Sequence, residues 1–528
     1  MIRIFSITIL CVLFAVGQGT AKGAAKPEAT DTAASLLSIY WAGTKSLAGK
    51  PDTAGLFSLL SLNESQALKK ATLDKLVRRL PAEMGLSRSN EIRTASELLR
   101  KPLDELLTTP FLLRCANHNE WTLAVRQQSV AGAQLESALR LLTDRIGRRI
   151  AGHGKTWAFL CNESGRVCRV SRTNGWHVFQ LGHKDSLLFD PEQSRRQLTR
   201  GATNPVLLSV NFKPGTSSAD SKSVSSGLPA INLKITTQAG RLRTEGRAQF
   251  AGMEELKLDS FQIPTNSLRD PLISITAARG FRDLLGALSA LKPWRFKELP
   301  NQFFMWARGD IPFQTLITAP IPQATKVIDQ LTPRALHVLS SNLTSLGMGY
   351  LLHMTNRHEL VWRGFPILVP FLAPGAEPGD GWILAGTMSG IVPKGENRTL
   401  PPQELFDLIT NRTGLVLYDW EITQKRLQHL RGTSQLILMA SPLDYTLGGG
   451  FAHQWLTAIE GKLGNTATEI IQTSPGEFKL VRNSHLGLSA LELIFLGYWL
   501  DNPDFPALNY PKPSRPNLPR LPGLPAPG

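Results

Sequence analysis

Cysteine is scarce in this chain of 528 residues: there are four, and one of them, Cys11, lies inside an N-terminal apolar run. The other three, Cys115, Cys161 and Cys168, have no spacing that would assemble a tetrahedral zinc site. No metal and no cofactor is expected. Beyond the first run no stretch approaches the roughly 18 consecutive apolar residues of a membrane helix, so no later span is expected. Acidic residues are the minority charge: 42 Asp and Glu stand against 58 Lys and Arg, giving a net charge of +16 and a pI near 9.8. Hydrophobic content of 42% and charged content of 19% are ordinary for a folded chain with a sizeable core.

What is present begins with a leader pattern. Arg3 supplies a positive start, Ile4 to Val16 is apolar apart from Ser6 and Thr8, and Gly19-Thr20-Ala21 offers small residues for cleavage. The run is too short to cross a bilayer as a helix, which needs ~20 residues. The expectation is an exported protein of the periplasm, cell envelope or extracellular space. In that setting the basic excess favours an anionic polysaccharide or membrane head groups as partner, and disfavours nucleic acid. Residues 140–200 alone hold twelve Lys and Arg against five Asp and Glu. Cys161 and Cys168 flank a hairpin-like stretch, and an oxidising compartment leaves two readings open, a cross-strand disulfide or buried thiols.

The fold class read from periodicity is α+β: two related mixed-sheet units, an N-terminal helical segment and a Pro-rich C-terminal tail. Leu73, Leu76, Val77 and Leu80 form a helical stripe. Asn63 with Gln66 and Thr94 with Glu97 have capping-box spacing and predict helix starts. After residue 109 the pattern becomes ββα-βββ-αβ, and residues 303–420 repeat that order. Gly175-Trp176 returns as Gly381-Trp382, and Pro191-Glu192 before a helix returns as Pro402-Gln403-Glu404. Pro102-Leu103 and Pro271-Leu272 are read as openings of the two units, and the repetition as an internal duplication. The resulting plan is a leader (1–21), a helical segment (22–108), a first unit (109–213), a Ser/Gly linker (214–227), a β segment (228–263), a second unit (264–432), an α/β segment (433–500) and the tail (501–528). In the tail Pro513, Pro516, Pro519, Pro522 and Pro525 recur every third residue, the period of a polyproline helix, which leaves three readings open: a stiff spacer, a docking strip for a protein partner, or a disordered end with no partner.

Three segments, Ala71-Thr72-Leu73-Asp74-Lys75-Leu76, Asp270-Pro271-Leu272-Ile273-Ser274-Ile275-Thr276-Ala277-Ala278-Arg279-Gly280 and Tyr418-Asp419-Trp420-Glu421, resemble recurrent segments of large exported bacterial proteins with no assigned function. The resemblance runs over most of the mature chain. It implies an envelope-associated protein and supplies no activity, ligand or catalytic residue.

Candidate chemistry is thin. Gly152-His153-Gly154-Lys155-Thr156 lacks the opening glycine of a phosphate loop and the strand–loop–helix order that such a loop needs. His358-Glu359-Leu360-Val361-Trp362 lacks the second histidine of a zinc-protease helix and reads as a strand. Ser289-Ala290-Leu291-Lys292 has the spacing of serine acyl-transferases without their partner motifs. Asp419 and Glu421 lie two apart on a strand, where both face one side and could share a catalytic site. The alternative for Glu421 is the positive start of the helix that follows it. The expectation is a non-catalytic binding or scaffolding protein, with a secreted hydrolase sited between the two units as the alternative.

Overall fold

A computed structural model describes residues 36–83, 88–117, 120–126, 130–146, 149–153, 156–160, 167–182, 189–214, 228–287, 298–345, 348–364, 367–390, 399–440 and 450–506. The leader, residues 215–227 of the Ser/Gly linker, Ser289 to Lys292, Cys161 and the proline repeat of the tail lie outside these residues.

The first ten strands are β1 (Leu37–Trp41), β2 (Phe111–Asn117), β3 (Glu120–Arg126), β4 (Arg149–His153), β5 (Thr156–Leu160), β6 (Val167–Thr173), β7 (Trp176–Gly182), β8 (Val206–Phe212), β9 (Ala230–Gln238) and β10 (Arg241–Gln249). The second ten are β11 (Leu272–Arg279), β12 (Gln302–Arg308), β13 (Thr315–Pro320), β14 (Tyr350–Met354), β15 (Glu359–Arg363), β16 (Phe371–Pro374), β17 (Trp382–Gly386), β18 (Leu415–Ile422), β19 (Asn465–Ser474) and β20 (Glu477–Ser484). Hydrogen bonding orders the first ten as 4-5-6-7-3-2-1-8-9-10. The second ten run 14-15-16-17-13-12-11-18-19-20. The order is the same when each number is raised by ten. Pairing of β10 with β20 joins the halves into one sheet.

Every one of these strand pairings is antiparallel, so the expectation of mixed sheets is corrected. Each half also has four strands where three were expected after its crossover helix. β4 was hidden because the apolar spacing of the helix Val130–Ile146 runs on into Ile150; β16 was hidden because Pro370 precedes it and Pro374 closes it. β1 falls in the stretch read as wholly helical. Pro102 lies inside the helix Ser89–Leu106, so it opens no unit, whereas Leu272 does begin β11. Thr94 lies a turn inside that same helix. Residues 433–440, the start of the stretch read as a separate α/β segment, continue the helix Thr423–Ala440.

The two faces of the sheet differ. On one, Leu233, Leu480, Ile470, Leu417 and Ala278 form a nearly continuous apolar row across the join, packed by Phe250, Met253, Leu256 and Leu258 of the extended link after β10. The helices Asn63–Glu83, Ser89–Leu106 and Val130–Ile146 cover this face in the first half around Val77, Leu99, Leu139 and Phe179. The helices Thr423–Ala440, Phe451–Glu460 and Ala490–Asp501 lie over it in the second, around Leu427, Leu456 and Leu493. A full capping box, Ser489 with Glu492, starts the last helix. The opposite face carries two short helices, Pro191–Thr199 beside β8 and Gln403–Thr410 in the second half. Between them no helix among the described residues covers β9, β10, β20 and β19, as one side of an antiparallel sheet allows.

Candidate functional site

Asp419 and Glu421 do face one side of β18, the side under the helices. Asp419 lies directly opposite Thr276 and accepts a hydrogen bond from its hydroxyl at 2.6 Å. The row continues from Asp419 through Thr468 to Arg482 and Thr244. Glu421 is 5% exposed, and its Oε1 accepts the backbone N–H of Ala490 at 2.7 Å. Its helix-start role is therefore real: it binds the backbone at the start of the helix Ala490–Asp501 and also the side chain of Thr423, the first residue of the helix that follows it in sequence. Burial, and next the charge of Asp419, push the Glu421 carboxyl up to about 7. Burial also pushes Asp419 up and the neighbouring Arg426 down. An acid near neutrality could serve as a proton donor. Neither carboxylate, however, lines any of the three surface cavities described below. The pair belongs to a sealed charge network between sheet and helices.

Two histidine–carboxylate clusters were not legible in the sequence, because their members are 41 and 29 residues apart. Glu136, on the first crossover helix, accepts from Arg140 at 2.9 Å, Arg172 at 3.0 Å and His177 Nδ1 at 3.0 Å. Burial raises the Glu136 carboxyl, but the hydrogen bonds from Arg172 and Arg140 outweigh it and hold the group at about 2. Burial lowers His177. In the second half Asp329 meets His358 Nδ1 at 3.0 Å and His353 Nε2 at 3.5 Å. Beside it a shallow cavity of about 560 Å³ is lined by Lys326, Asp329 and Asp380. Among the described residues no group of three or more His, Cys, Asp or Glu is placed to hold a metal ion.

Within the basic stretch 140–200, several cations are already paired and Arg200 reaches a basic trough. Arg140 and Arg172 are engaged with Glu136, and Arg195 and Arg196 with Glu192. Arg200 is joined on the open face of the central strands by cations from β9, β10 and β20. A cavity of about 840 Å³ there is lined by Arg200, Lys234, Arg243, Arg247 and Lys479, with Glu245 as the one carboxylate among the described residues. Hydrogen-bonding side chains, Asn204, Asn232, Thr236 and Gln238, fill the intervals, and among the described residues no aromatic ring lines it. Arg200 to Asn204 form one wall, the loop that follows the helix Pro191–Thr199. The counterpart loop in the second half, Thr410 to Gly414, borders a further cavity of about 660 Å³. Five strand intervals separate β8 from β18, about 24 Å at ~4.8 Å per interval. The charge alternation of Arg241, Arg243, Glu245 and Arg247 was visible in the sequence; which face it occupied was not.

Of the remaining motifs, Gly152, His153 and Thr156 belong to the β4–β5 hairpin, with Gly154 and Lys155 outside the described residues. A strand therefore precedes this turn, where a helix was expected. Glu359 to Trp362 lie in β15, as expected. Cys115 and Cys168 are buried, and burial pushes the Cys115 thiol up to about 11.

No protein-family model matches the chain, and the curated proteins contain no match to it. Among solved structures, crystal form I of TP0453 aligns with 43% of this chain and 78% of its own, at 11% identity and a TM-score of 0.22. Among the described residues no helix is long and apolar enough to cross a membrane.

Proposed function

We propose that this chain is an exported, envelope-associated, non-catalytic protein that binds or scaffolds an anionic partner, and that its two halves descend from one duplicated unit. The binding reading rests on one observation: among the described residues, five cations and a single carboxylate line the floor and wall of an open trough in the middle of the sheet. A field of one sign over a concave, water-accessible surface concentrates counter-charged ligands. The resemblance of the leader and of the three sequence segments to exported bacterial proteins supports the location. The hydrolase alternative has less support, because its carboxylates, Asp419 and Glu421, are enclosed beneath helices.

The duplication has support finer than strand order. Trp176 and Trp382 each begin the seventh strand of their half and pair with the last residue of the third, Arg126 and Pro320 respectively. The eighth strands carry the same bulge, between Val206 and Leu208 and between Leu415 and Leu417. Joining through antiparallel copies of one strand, β10 with β20, is the isologous geometry of a two-fold dimer.

The test is binding of the purified protein to anionic glycans and to anionic lipid vesicles over a salt series. The expected result is an affinity that falls steeply as salt screens the trough. Absence of binding to every anionic surface at low salt overturns the reading.

A further inference from the structure

We infer that the trough is built for a dianionic, phosphate-type group seated where the two halves of the sheet meet, between Arg247 and Lys479. The inference rests on the anion-binding reading above and names the chemistry of its ligand. Arg247 on β10 and Lys479 on β20 are direct cross-strand partners, so both side chains leave the same open face. Like charges in that position repel and weaken a strand pair, and this pair sits in the one ladder that joins the halves.

The neighbouring charges relieve it only in part. Glu477 reaches Arg247 only at 3.7 Å and from the strand end. Lys479 has no ion-pair partner among the described residues, and Glu245 is taken by Arg243 at 2.8 Å. Lys234, directly opposite Glu245, donates to the backbone carbonyl of Arg200. The site therefore presents two adjacent cations, a guanidinium fork held loosely by Glu477 and an ammonium with no ion-pair partner among the described residues. A group carrying close to two negative charges and several acceptor oxygens, as a phosphomonoester does, balances them and accepts from both. A single carboxylate supplies half the charge. Among the described residues the lining has no ring on which a neutral sugar or a base could stack, and its Asn, Thr and Gln side chains suit the hydroxyl and ester oxygens around a phosphate.

The experiment uses the full chain with inorganic phosphate, with acetate, and with phosphatidylcholine vesicles that do or do not contain phosphatidic acid. Phosphate is expected to bind and to raise the melting temperature, as any ligand selective for the folded state does, while acetate does neither. Lys479→Gln and Arg247→Gln are each expected to weaken phosphate binding at least about tenfold, the loss of one charge-assisted hydrogen bond. Both variants are expected to melt no lower than the parent without phosphate, because the repulsion is relieved. Lys326→Gln, in the distant shallow cavity, is the control and leaves binding unchanged. Co-sedimentation with phosphatidic acid vesicles that is lost in Lys479→Gln assigns the phosphate to a lipid head group; phosphate binding without co-sedimentation assigns it to a soluble or polymeric source. Undiminished binding in both Gln variants, or acetate binding equal to phosphate, overturns the inference and leaves the broader reading standing. Failure of the parent protein to bind any anion overturns both.

Discussion

Arg482 donates to both carboxylate oxygens of Glu492, from Nη1 at 2.6 Å and from Nη2 at 3.1 Å, and so ties β20 to the first turn of the helix Ala490–Asp501. Both side chains are buried. Arg482 also donates from Nε to Thr468 at 2.8 Å and from Nη1 to the carbonyl of Gly487 at 3.1 Å. Glu492 in turn accepts the N–H of Ser489. Nothing in this network is left over, which is what allows two charges to stay away from water.

Replacing Arg482 with Met is therefore expected to destabilise the protein by about 3–5 kcal/mol, because it leaves Glu492 buried without its counter-charge. The double change Arg482→Met with Glu492→Leu is expected to recover much of that loss. Chemical denaturation of the two variants against the parent measures the coupling. Equal destabilisation in both would show that packing, not charge pairing, holds the helix.

Glu421 gives a pH signature of the opposite sense to most carboxylates. Its carboxyl is raised to about 7 in the fold, above the ordinary value near 4.5. The folded state thus holds the proton more tightly, and this contribution to stability is complete below about 4.5 and declines as the pH climbs through 7. The slope is at most about 1.4 kcal/mol per pH unit. Glu421→Gln is expected to flatten melting temperature against pH between 5 and 8 on the order of these limits. A parent-like slope in the variant would remove the assignment.

Glu136 works the other way. Held at about 2 by Arg172 and Arg140 against the effect of burial, it stabilises the fold above its unfolded value, and that stability is lost as pH falls from about 4.5 through 2. Glu136→Gln is expected to cost about 2 kcal/mol at neutral pH, the range for hydrogen bonds to a charge, and far less near pH 2. The two arginines are half exposed, which keeps the figure at that level. Acid titration of parent and variant, followed by circular dichroism, checks it.

Two glycines in or beside strands should respond in opposite ways. A Cβ on Gly349, which has φ +93°, would stand 1.9 Å from the carbonyl oxygen of Arg363, so Gly349→Ala is expected to cost about 3 kcal/mol or more. A Cβ on Gly246 meets nothing nearer than Leu233 Cδ1 at 3.4 Å. Gly246→Ala is expected to be neutral or stabilising by up to about 1 kcal/mol, since it removes backbone freedom from the unfolded chain. Thermal melts of the two variants separate the cases.

Gly246 also shows how alike positions diverged. It lies in the row Ile39, Val210, Leu233, Gly246, while the matching row of the second half is Thr276, Asp419, Thr468, Arg482. One is apolar core and the other a charge network under helices. Both rows alternate in the same period-2 pattern along their strands, so periodicity revealed two similar series of strands and could not reveal what covers them.

The sequence by itself determined the local elements: the stripe of Leu73, Val77 and Leu80, the alternation of the hairpin strands, the Gly-Trp openings and the helix after Pro191. Each depends on residues a few positions apart, whose backbone preferences and apolar period act before any distant contact forms. Tertiary structure decided the antiparallel joining of the halves, the burial of Asp419 and Glu421, and the gathering of Arg247 with Lys479. Those pairings span tens to hundreds of residues, and strand register there is set by which faces exclude water together, a property that no local spacing carries.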